Sequence, residues 1–168
     1  MSLTSTQLTA LRNNINADPT FSTMPLTSDA SVVIANSYNQ IAVPDYWVWR
    51  TRVMEREIYE ATSPDGTTWD WSTYIAQSAR EADAWERMFA GGFCNPSLAQ
   101  TRAGIAKIFS GTGASVVAQR AHLLAMFRRL ATRAEKVFAV GAGTTAAPST
   151  LGFEGTLSFG DIDQARAN

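Results

Sequence analysis

The sequence predicts a mainly α protein, a small bundle of five to six helices followed by an extended C-terminal arm that contains a short β-strand or hairpin. Apolar residues recur at helical steps from Leu8 to Val137, as in Val116, Leu123, Phe127, Leu130, Ala134 and Val137, which places them on one face of a 3.6-residue repeat. Cap and turn residues separate the helical stretches. After Val140 the composition shifts to Gly141-Ala-Gly-Thr-Thr-Ala-Ala-Pro148, and Leu151, Phe153, Leu157 and Phe159 then share one parity, the two-residue period of a strand. The predicted division is a helical body over 1–140 and a linker and arm over 141–168.

Thr4, Ser5 and Thr6 offer N-caps to a first helix carrying Leu8, Leu11 and Ile15, which Asp18-Pro19 ends. A loop over 19–27 turns Phe21 and Met24 inward. Ser28-Asp-Ala-Ser caps a second helix reaching Gln40, although the Val32-Val-Ile run also suits a strand. Val43-Pro44 stops the chain from continuing as helix. Asp45 then caps a third helix over 46–61, with Trp47, Thr51, Met54 and Ile58 buried and arginines and glutamates around the rest. Ser63-Pro-Asp-Gly66 is a turn.

A fourth helix over 67–90 buries Trp71, Ile75, Ala79, Ala82, Trp85 and Phe89 and stops at Gly91-Gly92. Asn95-Pro96 matches an N-cap followed by proline at the first helical position. The fifth helix, over 96–110, buries Leu98, Ile105 and Phe109, and its internal Gly104 marks a close helix contact. One long helix over 114–140 completes the body.

Length and charge bound the function. A chain of 168 residues with 45% apolar content fits one domain with a real core. Net charge of −1 and a pI near 5.8 argue against a protein that coats nucleic acid. The single Cys94 excludes an intrachain disulfide and suits a reducing compartment. The N-terminus lacks the basic and apolar regions of a signal peptide, and no apolar run approaches the roughly 18 to 20 residues that span a bilayer. The expected location is therefore the cytosol, or a particle assembled there.

A catalytic inventory is thin, and no enzyme is expected. His122 is the one histidine and lies in a helix, where a surface or partly buried structural role is the plain reading. Cys94 stands at a helix entrance without a partnering base, as a small buried cysteine would. One Cys and one His do not make a zinc site, and no cofactor is predicted. The carboxylates at Glu55, Glu57 and Glu60 and at Glu81, Asp83 and Glu86 lie along single helices, as solvated faces do. Gly141 and Gly143 follow a helix instead of opening one, so a C-cap explains Gly141 better than a phosphate loop.

Surface readings carry more. All five tryptophans fall between 47 and 85. Trp49 and Trp69 lie off the buried stripes, and Trp beside Arg is a typical interface anchor. Arg128, Arg129, Arg133 and Lys136 form a polar stripe that either meets DNA or an acidic neighbour, or complements the helix dipole. In the arm, Leu151, Phe153, Glu154, Leu157 and Phe159 are the predicted partner-binding residues, since an extended apolar tail after a linker can add a strand to another chain.

Residues 130–159 include Ala131-Thr-Arg-Ala-Glu-Lys-Val-Phe-Ala-Val-Gly141, a Gly/Thr/Ala/Pro linker, and Phe153-Glu-Gly155. This stretch resembles the C-terminal signature of a group of small structural-region proteins of tailed bacteriophages and prophages. Residues 48–50 and 95–105 resemble that group more loosely. The resemblance implies a structural virion protein assembled in the host cytoplasm, foremost a head-tail adaptor. Its expected form is a homo-oligomeric ring of about twelve copies below the portal protein, docked through the C-terminal arm and meeting a downstream tail or stopper protein, with passing DNA contact through the basic stripe. A decoration or other tail protein, and a small helical nucleic-acid-binding protein, are the alternatives.

Overall fold

A computed structural model describes residues 3–167. The chain is mainly α, about half of it helical. In chain order α1 (Ser5–Ala17), α2 (Ser28–Tyr38) and β1 (Trp47–Trp49) come first. β2 (Val53–Met54), α3 (Glu55–Glu60), α4 (Trp71–Ile75), α5 (Ala79–Met88), β3 (Phe93–Cys94), α6 (Ala99–Ile108) and α7 (Ala114–Met126) follow. β4 (Arg128–Leu130), α8 (Arg133–Phe138) and α9 (Phe159–Ala167) come last. The chain forms two compact units, one of Met1–Val48 with Leu130–Asn168 and one of Trp49–Arg129.

The first unit is built from both ends of the sequence. Thr4 caps α1 in a reciprocal pair with Gln7, and the Thr27 hydroxyl caps α2, each satisfying backbone donors that a helix start leaves open. α9 packs on α1 and α2. The core is Leu11, Ile15, Ile34, Tyr38, Ala134, Phe138, Phe153, Leu157 and Ile162, with Phe21 against Tyr38 at its margin. As expected, Phe21 and Met24 turn inward.

The second unit is the internal segment. Its core joins Val53, Ile58, Trp69, Trp85, Phe89, Ile105, Phe109, Leu123 and Phe127. β2 pairs antiparallel with β3, Val53 opposite Cys94 and Met54 opposite Phe93. α5 packs on α6, where a Cβ on Gly104 would come 3.0 Å from the Met88 methyl, so the internal glycine does mark a close helix contact.

The count of five to six helices is corrected to nine among the described residues, because two long periodic stretches are broken. The stretch over 67–90 breaks where Ser78 and Glu81 form a capping box that starts α5. The stretch over 114–140 breaks after Met126, and Thr132 with Glu135 forms a second box that starts α8. Between the halves Ala131 N–H donates to Tyr46 C=O at 2.8 Å. The predicted helix over 46–61 is extended at its start because its backbone is bonded elsewhere: Trp47 N–H donates to Gly143 C=O at 2.7 Å, and Arg50 N–H donates to Phe127 C=O at 2.8 Å. Asn95 caps a turn through Ser97 at 3.0 Å, and α6 starts only at Ala99. Trp71 and Ile75, expected inside, are 49% and 77% exposed on α4.

The division into a body over 1–140 and an arm over 141–168 is also corrected. Residues 151–158 form no strand, and Phe159 opens α9. Phe153, Leu157 and Ile162 belong to the core of the first unit. Burying three such side chains contributes about 1.5–3 kcal/mol each, an amount comparable to the net stability of a whole domain, about 5–15 kcal/mol. The tail is part of the folded body.

Candidate functional site

The first unit carries an open cleft of about 720 Å³. α1 supplies Asn14, the turn after it Asp18, α2 Ser37, residues 40–43 one wall, and α8 Arg133, Lys136 and Val137. The capping box of Thr132 and Glu135 fixes where α8 begins, and so puts Arg133 in its first turn and Lys136 in its second.

Arg133 is engaged within the chain. Its guanidinium lies 2.5 Å from the Asp18 carboxylate and stacks over the rings of Tyr38 and Phe21, 4.6 and 4.9 Å from their centres. Arg133 holds the Asp18 carboxyl below the usual carboxylate range, against the opposing effect of burial and helped by the Thr20 and Phe21 N–H groups. Burial pushes the Tyr38 hydroxyl up to about 12, and this hydroxyl donates to Asn14 Oδ1 at 2.7 Å. Lys136 Nζ sits 5.4 Å from the centre of the Tyr46 ring and has no carboxylate partner among the described residues.

Beside the cleft, the signature stretch is locked by close backbone approach. Tyr46 donates to Gly141 C=O at 3.1 Å and bonds Ser149 Oγ at 2.8 Å. Gly143 has φ +67, and a Cβ there would stand 2.1 Å from the Tyr46 ring. Gly141 is not the C-cap of α8, which is Ala139. It is the first residue of the loop that the antiparallel bridge between Val140 and Thr150 closes, with Ser149 against it. Phe138 meets Phe153 edge to face at 5.3 Å.

The predicted site residues fall as follows. Phe153 and Leu157 are buried, Leu151 is half-buried, and Glu154 and Phe159 are exposed, so the five do not present one binding edge. Trp69 is not an exposed anchor: it is buried among Tyr59, Trp85 and Phe109, because the aromatic cluster closes over it. Trp49 is half-buried, with Arg102 stacked 4.5 Å above its ring. The continuous basic stripe does not exist, since the helix ends at Met126. Arg128 and Arg129 belong to the second unit, where Arg128 pairs with Asp65, and Arg133 and Lys136 belong to the first.

In the second unit, His122, Glu55 and Cys94 are tied into the packing. His122, expected as a surface or partly buried structural residue, is fully buried: its Nε2–H donates to Ile58 C=O at 3.1 Å, and its Nδ1 meets Thr67 Oγ1 at 3.2 Å. Glu55, read as part of a solvated face, accepts from Tyr59 Oη and from Trp85 Nε1. Burial raises the Tyr59 hydroxyl well above its ordinary value, and Glu55 adds to the shift. Burial pushes the Cys94 thiol up to about 12. Among the described residues no group of three or more His, Cys, Asp or Glu could hold a metal ion, and no helix is long and apolar enough to cross a membrane.

Comparison of the chain with family models, curated proteins and solved structures finds no match. Sequence reasoning named Arg133 and Lys136 but missed the wall at residues 40–43. Its signal is Val43-Pro44, read only as a helix stop.

Proposed function

We propose that this chain is a structural protein of a tailed-phage particle, a head-tail adaptor that assembles as a ring of copies below the portal. The observation that supports this reading is the signature stretch over 130–159, several of whose residues have a fold-building task. Thr132 and Glu135 start α8, Ala131 and Ala134 are fully buried, Phe138 packs on Phe153, and Gly141, Gly143 and Gly152 sit where a Cβ would overlap neighbouring atoms. A signature that specifies a fold argues for a shared architecture with the phage group it resembles.

The C-terminal segment serves here as core, so docking falls to other surfaces. Side-to-side contacts between copies would use the exposed faces of α3 and α5, where Arg56–Glu60 and Arg87–Asp83 are solvent-facing pairs. Such pairs contribute little to the stability of one chain and are available to re-pair across an interface. The basic residues favour no nucleic-acid reading: Arg133 and Arg128 each already hold a carboxylate.

The test is the mass of the purified chain with and without portal protein. A chain that forms rings only on portal supports an adaptor. A chain that ignores portal, or that enters particles at the copy number of the shell, contradicts it.

A further inference from the structure

In the wall of the cleft at residues 40–43, Ile41 forms an isolated bridge with one open backbone edge. Ile41 faces Thr132 in an antiparallel bridge, held by Ala42 N–H donating to Ala131 C=O at 3.0 Å and by Arg133 N–H donating to Gln40 C=O at 2.8 Å. Those bonds flank Ile41, so this is the pair whose own N–H and C=O point away from the partner strand. The Ile41 backbone groups make no hydrogen bond among the described residues. An unpaired edge of this kind is a template for one more strand.

Two further features select what would pair there. Ile41 and Val43, of one parity, are 51% and 90% exposed, an apolar rim that an alternating peptide can cover. Lys136 on the same cleft lacks a carboxylate partner among the described residues, whereas Arg133 is already neutralised by Asp18. The cleft therefore offers one cation to an incoming chain, and charge complementarity asks for a carboxylate.

We infer that residues 40–43 bind an extended segment of a partner protein by strand addition, backbone to backbone at Ile41, with apolar side chains of the segment on Ile41 and Val43 and an acidic side chain on Lys136. This docking surface is independent of the particle assignment.

The test uses the full-length 15N-labelled chain and three peptides: acetyl-Ser-Val-Glu-Val-Ser-amide, its lysine counterpart, and the glutamate peptide with N-methylated valines. The glutamate peptide is expected to shift the amides of Ile41, Val43 and Lys136 saturably, the lysine peptide to bind at least tenfold more weakly, and the N-methylated peptide to leave them unmoved. Lys136→Glu should reverse the preference between the two charged peptides, a readout that requires a folded chain. Absence of shifts at those amides, equal binding of the charged peptides, or undiminished binding of the N-methylated one would overturn the proposal. Shifts at the same amides that grow with protein concentration alone would overturn it in favour of a second copy as occupant.

Discussion

Asn39 closes both backbone groups of Leu157: its Nδ2 donates to Leu157 C=O at 2.9 Å, and its Oδ1 accepts from Leu157 N–H at 2.8 Å. One carboxamide just past the end of α2 thus stands in for a strand pair and holds a segment 118 residues further along the chain.

Asn39→Ala removes both bonds and leaves two partly buried backbone groups without partners. At about 1–3 kcal/mol for each stranded group, discounted for access to water, a loss of about 2–3 kcal/mol is expected in urea denaturation. A loss under about 0.5 kcal/mol would mean that the C-terminal segment is not held at this point.

Gly143→Ala asks whether the signature loop is as tightly built as its geometry requires. A side chain at φ +67 is strained, and its Cβ would overlap the Tyr46 ring. Overpacking costs about 1–3 kcal/mol and the backbone conformation about 1 kcal/mol more. The variant should lose about 2–4 kcal/mol, read as a lower urea midpoint with an unchanged slope.

The pair of Asp18 and Arg133 gives a defined pH dependence. The Asp18 carboxyl titrates below its usual range in the folded chain, so the unfolded chain binds the proton more readily. The stabilisation is present in full above the unfolded value, about 3.9, and is lost as pH falls through the lower folded value. The stability difference between the wild type and Asp18→Asn should be constant from about pH 5 to 8 and shrink below about pH 4. A difference that grew on acidification would contradict the pairing.

Cys94 should be silent in the native chain. It is buried in β3 opposite Val53, and burial pushes its thiol up to about 12, which leaves almost no thiolate at pH 8. Iodoacetamide should leave it intact at that pH and alkylate it readily in urea. Native labelling at the rate of a free thiol would contradict the packing of the β2–β3 pair.

α1 and α2 were legible in the sequence, because each combines cap residues with apolar residues at helical spacing. The two missed breaks were legible in principle. Ser78-x-x-Glu81 and Thr132-x-x-Glu135 are capping-box patterns, but each lies inside a continuous apolar periodicity, and periodicity outweighed the cap. The extended start of the segment after Asp45 was not legible, since Trp47 and Arg50 are bonded to residues far along the chain. The tail misled for a physical reason. Its glycines and two-residue parity suit a free strand, yet Gly152 lets the backbone pass close to Phe138 C=O, and Leu157 is claimed by Asn39. As for the site, Lys136 could be named from its helix, while the open edge at Ile41 depends on a pairing with Thr132 that no local pattern announces.

Hydrogen exchange of the isolated full-length chain tests most directly whether residues 141–167 are core. Val140 and Thr150 exchange both bonds of their bridge at 2.9 Å, Ser149 N–H donates to Trp47 C=O at 2.9 Å, and Leu157 N–H is held by Asn39. These four amides should be protected to the same degree as those of Ile15 and Ile34 in α1 and α2. Exchange at random-coil rates from 149 to 157, with α1 and α2 still protected, would contradict this and restore a detached arm.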